Sequence, residues 1–105
     1  MTNLEITRLC AEAMGHSTPH EVRGKMMLAN STIYDPLHDD AQAMALVKKC
    51  VLGLAWSGYW SVYEQGNGAI GSHIDLNRAI CECCAKMMLA KKGASNDATI
   101  EGKAR

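Results

Sequence analysis

Apolar residues recur at helical spacing in three stretches of this chain. In the first, Ile6, Leu9, Cys10, Ala13 and Met14 share one face, with Glu5, Arg8 and Glu12 opposite. Thr2-x-x-Glu5 just ahead is a capping box: the hydroxyl accepts from a free backbone N–H while the carboxylate reaches back. Gly15 supplies a left-handed stop. In the second stretch Ala43, Met44, Leu46, Val47 and Cys50 form the apolar side, while Ala41, Gln42, Ala45, Lys48 and Lys49 face water. Pro36 forces Asp35 to be extended and free to cap. Asp39 and Asp40 open that helix and Lys48-Lys49 close it, the polarity the helix dipole favours. In the third, Leu76, Ile80, Cys83, Cys84 and Met87 make a buried stripe with Cys81 at its edge. Arg78, Glu82 and Lys86 lie outside, Glu82 and Lys86 paired four apart. Ser72-x-x-Asp75, or Asp75 itself, caps it. Lys91-Lys92-Gly93 ends it.

Between the helices the pattern changes. His16 to Gly24, with Pro19 and little period, reads as a loop. Lys25 to Ala29 and Thr32 to Tyr34 read as two strands around Asn30-Ser31. Val51 to Trp56 and Tyr59 to Glu64 read as a hairpin around Ser57-Gly58, in which Trp60, Val62 and Glu64 alternate with Tyr59, Ser61 and Tyr63. Gly66-Asn67-Gly68 turns the chain, and Ala69-Ile70 adds a short strand. The expectation is an α+β fold in which a small antiparallel sheet is sandwiched by about three amphipathic helices, in the order α-β-β-α-β-β-α. Residues 1–92 form one domain. Residues 93–105, small and polar, form a flexible C-terminal tail. No repeat of solenoid length is visible.

The chain has 105 residues, so a single core is expected, and 48% apolar content suffices to pack it. That core is soft: there is no Phe, but there are seven Met and five Cys. Eleven basic and eleven acidic residues cancel, which argues against nucleic acid as the main partner and removes a barrier to self-association. No leader pattern opens the chain, and no apolar run approaches the roughly 18 residues of a membrane span. A soluble protein in a reduced cytosol is expected, with its thiols free.

Candidate chemistry is sparse. Cys81-Glu82-Cys83-Cys84 contains C-x-x-C, which would suit redox or metal chemistry. Cys81 lies about two turns into its helix beside Glu82, away from the helix start that would activate a thiolate, and core packing is the favoured reading. Zinc would need a further ligand at matching spacing. His16, His20, His38 and His73 fall in loops or at caps, where a solvated histidine is ordinary. Asp35, Asp39 and Asp40 are read as capping groups before a magnesium site. Trp56, Tyr59, Trp60 and Tyr63 are the binding candidates. Alternation sends Trp60 and Tyr63 to opposite faces, so some aromatic must be an interface anchor or a stacking platform. Arg8, Arg23, Lys25 and Arg78 are weaker candidates for phosphate.

Two segments carry a resemblance. Tyr34, Asp39, Ala41, Ala43, Met44 and Val47, then Trp60, then Leu76, Ala79, Ile80 and Cys81 are similar to the phage ABA-sandwich family, over roughly residues 1 to 90. The stretch before Tyr34 and the Cys83-Cys84 pair depart from its pattern. The resemblance implies a helix–sheet–helix sandwich from a tailed phage or prophage, with no catalytic residues, no metal and no cofactor to carry over. The expected function is non-enzymatic: binding and inhibiting a host bacterial protein, an antiphage-defence component or other host factor, in the host cytoplasm. The alternatives are a sponge for a nucleotide signal, and a phage assembly chaperone or structural accessory acting as a homo-oligomer. No membrane partner is expected.

Overall fold

The computed structural model describes residues 1–16, 19–29, 31–65 and 68–101, with side chains placed through residue 92. Helix α1 (Asn3–Ala13) starts on both halves of the capping box. Glu5 N–H donates to Thr2 Oγ1 at 3.1 Å and Thr2 N–H donates to Glu5 Oε1 at 2.6 Å. It stops as expected at Gly15, whose φ of +95° is open to a residue without a side chain. Its buried face holds Ile6, Leu9 and Cys10 together with Thr7 and Ala11.

A three-stranded antiparallel sheet follows: β1 (His20–Val22), β2 (Lys25–Met27) and β3 (Ile33–Tyr34). The sequence reading made β1 part of a loop. Its three residues pair with β2, Glu21 opposite Met26, across a turn in which Arg23 (φ +54°) and Gly24 (φ +79°) both take left-handed conformations. Pairing, not periodicity, makes this strand. Asn30, half of the expected next turn, lies outside the described residues, as do Gly66 and Asn67 of the later one. Met26 and Tyr34, paired across β2 and β3, turn inward.

Helix α2 (Asp40–Cys50) is capped by Asp39, whose carboxylate accepts from Gln42 N–H at 3.0 Å. Gln42 does not simply face water. Its side-chain oxygen accepts from Asp35 N–H at 2.6 Å and its nitrogen donates to Ile33 O at 3.3 Å, tying the helix start to β3. Ala43 and Leu46 are buried, whereas Met44 of the expected apolar side is exposed. Val51 ends the helix in a left-handed conformation (φ +55°), so the next strand begins one residue later than expected.

The second antiparallel sheet is β4 (Leu52–Trp56), β5 (Trp60–Glu64) and β6 (Ile70–His73), in that order. Ser72 belongs to β6 and caps nothing. Asp75 is the cap of α3 (Leu76–Glu101), accepting from Arg78 N–H at 3.1 Å. The single sheet of the sequence reading is thus two, and a helix followed by a three-stranded meander occurs twice before α3.

α3 packs against β5, β6, α1 and α2. Its first half is therefore buried on a face wider than one stripe, leaving Arg78, Glu82, Lys86 and Leu89 on the outer side. Ala79, Ile80, Cys81, Cys83, Cys84 and Ala85 have no solvent exposure, and Cys81 is interior, not marginal. Completely buried Ile80, Val62 and Leu46 each contribute about 1.5–3 kcal/mol of hydrophobic free energy. Glu82 pairs with Arg78 at 2.7 Å, while Lys86, its expected partner, donates to Ile70 O at 2.7 Å. The helix also runs on through Gly93 to Glu101, across most of the expected tail. One interior glycine costs only about 1 kcal/mol relative to alanine, and the alanines and lysines around it are strong helix formers.

Gly71 sets how closely the second sheet meets α3. A Cβ there would lie 2.7 Å from Cys83 N and nearer still to the Ala79 carbonyl. Only a residue without a side chain lets β6 lie directly on the helix backbone.

Candidate functional site

The strand register of the second sheet sorts its side chains. Leu52, Leu54, Trp56, Trp60, Val62, Glu64, Gly71 and His73 occupy the face toward α3. Gly53, Ala55, Ser61, Tyr63, Ile70 and Ser72 occupy the other. The helices cover only the Leu52–Val62–Gly71 end of the inner face. Beyond it Trp56 is 55% exposed and Trp60 half-buried, their rings 5.2 Å apart and tilted by 56°. They form the last register pair before the turn, where Gly58 (φ +82°) reverses the chain and Ser57 N–H donates to Tyr59 O at 3.0 Å. Tyr59, on that turn, is 48% exposed.

Tyr63 lies on the opposite face from Trp60, as alternation required. Its ring covers Gly53 on the neighbouring strand, filling space a side chain there would occupy. Ile70 pairs beside it and is also exposed. No residue of this outer face is charged, an unusual composition for a solvated sheet face. β4 is an edge strand, and Leu52-Gly53-Leu54-Ala55-Trp56 carries neither charge nor proline.

The four cationic candidates do not converge. Arg23 and Lys25 line one cavity of about 320 Å³ with Asn3, Thr7, Tyr34 and His38. Arg8 lies outside it and donates to Pro19 O at 2.8 Å. Arg78 is held by Glu82 and by the Asn3 side chain. The histidines are equally scattered. His20 is on β1 and His73 at the end of β6, not in loops, and His38 pairs with Asp35 at 3.0 Å. His16 packs beside Tyr34, with ring centroids 6.1 Å apart and planes tilted by 59°. Asp39 and Asp75 are caps, and Asp40 accepts from Asn77 at 2.8 Å.

The chain matches no family model, no curated protein and no solved structure. Its own geometry must carry the reading.

A feature that sequence reasoning missed lies between the helices. Cys10 of α1 and Cys50 at the end of α2 reach Cys81 and Cys84 of α3. The Cys10 thiol donates to Cys81 O at 3.4 Å, and Cys10 interacts electrostatically with Cys81 and Cys84, as Cys50 does with Cys84. Those contacts hold Cys84 down to about 5, against the opposing effect of burial. The hydrogen bond with Cys81 foremost pushes Cys10 up, and that with Cys84 foremost pushes Cys50 up. Cys83 points elsewhere, its thiol 3.5 Å from Ala69 O, and burial raises it to about 11. The other four thiols gather where α1, α2 and α3 pack against one another. Among the described residues no three His, Cys, Asp or Glu side chains are placed to hold a metal ion. Tyr34 Oη is buried with no hydrogen-bond partner. Its pKa is raised, first by burial and then by the same four cysteines. Local spacing shows only C-x-x-C; the other two thiols arrive through tertiary packing.

No helix among the described residues is long and apolar enough to cross a membrane.

Proposed function

We propose that this chain is a non-enzymatic protein-binding module whose second sheet is the binding surface. The carrying observation is the exposure of Trp56, Tyr59 and Tyr63 at 40–55% on a rigid, hydrogen-bonded hairpin. Aromatic residues held this way supply large contact area at low ordering cost, and Trp and Tyr dominate interface hot spots. The resemblance of Tyr34 to Val47 and Leu76 to Cys81 to the phage ABA-sandwich family supports the rest of the reading. On it, the protein is phage-encoded, acts in the host cytoplasm, and occludes a surface of a host protein such as an antiphage-defence component.

The test compares wild type with Trp56→Ala and Tyr59→Ala in pull-downs from infected cells, followed by size exclusion of the purified pair. A host protein should co-elute with wild type, and Trp56→Ala should weaken binding on the order of 30-fold, a hot-spot loss of about 2 kcal/mol. A partner retained equally by both variants, with their melting unchanged, refutes the surface assignment.

Two other readings each have one observation behind them. The Arg23–Lys25 cavity favours a nucleotide sponge, although the aromatic platform is on the other sheet; a flat thermal-shift response to a nucleotide panel would end that reading. The uncharged β4 edge favours a homo-oligomeric phage accessory, which sedimentation across concentration would reveal.

A further inference from the structure

We infer that β4 is a self-pairing edge. A second copy of this chain docks on it antiparallel, about a two-fold axis at Leu54, and the two second sheets become one. Self-pairing is a property of the edge rather than of the faces, so it stands whether or not the Trp56 surface binds another protein.

The register fixes where each backbone group on that edge points. Glu64 N–H donates to Ala69 O at 3.0 Å, which turns residues 60, 62 and 64 of β5 toward β6, and 61 and 63 toward β4. The same alternation points Ile70 of β6 away from β5, and there Lys86 Nζ donates to Ile70 O at 2.7 Å. On β4, Gly53 and Ala55 stand opposite Tyr63 and Ser61 and direct their N–H and C=O at β5. Those of Leu52, Leu54 and Trp56 point out of the sheet. The strand's main neighbours are β5 and α2, the helix that leads into it.

The two edges of this sheet are unlike. β6 lies on the α3 backbone through Gly71, and the Lys86 ammonium occupies its outward carbonyl at Ile70. An edge lysine is an ordinary guard against pairing. β4 carries no charge and no proline, and no bulge interrupts its register with β5.

Self-complementarity selects the occupant. Two-fold pairing matches outward groups only when centred on Leu52, Leu54 or Trp56, and the centre at Leu54 overlaps the whole strand. Leu54 then faces Leu54 of the second copy, Leu52 faces Trp56, and Gly53 faces Ala55. The outward N–H and C=O groups meet in hydrogen-bonded pairs. On the inner face Trp56, 55% exposed in one copy, lies beside Leu52 of the other. On the outer face Ala55 abuts the Tyr63 ring that covers Gly53. No β4 residue brings a charge into the seam, and a net charge of zero adds no repulsion between copies. A seam of five residues per copy falls short of the roughly 1,200 Å² of a standard interface, so the dimer is weak, with Kd on the order of 10 µM.

The purified full chain is studied alone, by sedimentation equilibrium over about tenfold either side of that Kd, with hydrogen exchange read residue by residue at both ends of the range. A reversible monomer–dimer equilibrium is expected. Leu54 and Trp56 amides should exchange about fivefold more slowly at the upper end, where roughly a fifth of the chain is monomer. Gly53 and Ala55, bonded to β5 in both states, should be slow throughout. Ala55 is exposed, so Ala55→Lys and Ala55→Glu should melt near wild type. Each variant alone should raise Kd several-fold, and an equimolar mixture should restore the dimer. A chain that stays monomeric at the upper end, a dimer with unchanged Leu54 exchange, open-ended oligomers, or Leu54 protection that appears only with an added host protein would each overturn the inference. No host protein enters the main measurement, so its failure leaves the pull-down test of the Trp56 surface untouched. Wild-type exchange decides even if a variant fails to fold.

Discussion

Replacing Gly71 by alanine should be far more damaging than its single added methyl suggests. The new Cβ would sit 2.7 Å from Cys83 N and closer to the Ala79 carbonyl, where ordinary contact begins near 3.4 Å. Both obstacles are backbone of α3, so no rotamer change relieves them, and the helix must retreat by roughly 1 Å. That retreat loosens Val62, Ile80 and Cys83, all fully buried. Overpacking usually costs about 1–3 kcal/mol; with helix backbone as the obstacle, about 3 kcal/mol is expected. A domain of this size has roughly 5–15 kcal/mol in all, so Tm should fall on the order of 15 °C. Gly53→Ala is the control. Its Cβ would meet the ring of Tyr63, a 40% exposed side chain free to swing outward, and should cost under about 1 kcal/mol. Thermal and urea melts followed by circular dichroism measure both. If Gly71→Ala melts within a few degrees of wild type, or Gly53→Ala is the worse, the close approach of β6 to α3 is not what fixes the sheet.

Val51→Gly should stabilise the protein. Relief of left-handed strain is worth about 1–2 kcal/mol, offset by about 0.4–1 kcal/mol of added unfolded-state entropy, for a net gain of about 0.5–1 kcal/mol in urea melts; Val51→Ala, which keeps a Cβ, should show no such gain. Tyr34→Phe removes only an unpartnered buried hydroxyl and should raise stability by about 1 kcal/mol; a fall would reveal a partner for that oxygen. Glu5 titrates below its ordinary 4.5, first because the Thr2 backbone N–H donates to its carboxylate and then through the Thr2 side chain. A lowered folded pKa means the cap's contribution is complete above the unfolded value and disappears as pH falls through the folded one. In an NMR titration, Thr2→Pro, which has no N–H to donate, should move Glu5 upward, and an unmoved Glu5 would mean that N–H does not hold it.

What was legible in the sequence is what depends on neighbours along the chain. The Thr2–Glu5 box, the Asp75 cap and the alternation of Trp60 with Tyr63 are all decided within a few residues, and each is present, whereas the second helix is capped by Asp39 and not by Asp35, which pairs with His38 instead. β1 was invisible because three residues carry no period and become a strand only by pairing with β2. The division into two sheets, the burial of α3 from Ala79 to Ala85 on all but its Glu82 side and the meeting of Cys10 with Cys81 depend on elements far apart in sequence. The aromatic surface was half legible: period two separates the faces, but only packing shows that the helices stop short of Trp56.

The interior position of α3 has a consequence for synthesis. Each preceding helix and its three short strands has little apolar surface of its own to close over, and the fully buried side chains from Ala79 to Ala85 complete both halves at once. A chain still lacking those residues exposes Ile6, Leu46 and Val62 together. Compaction must therefore wait for the last helix to emerge, and a nascent chain stalled before it would be a substrate for chaperones and proteases rather than a smaller folded protein.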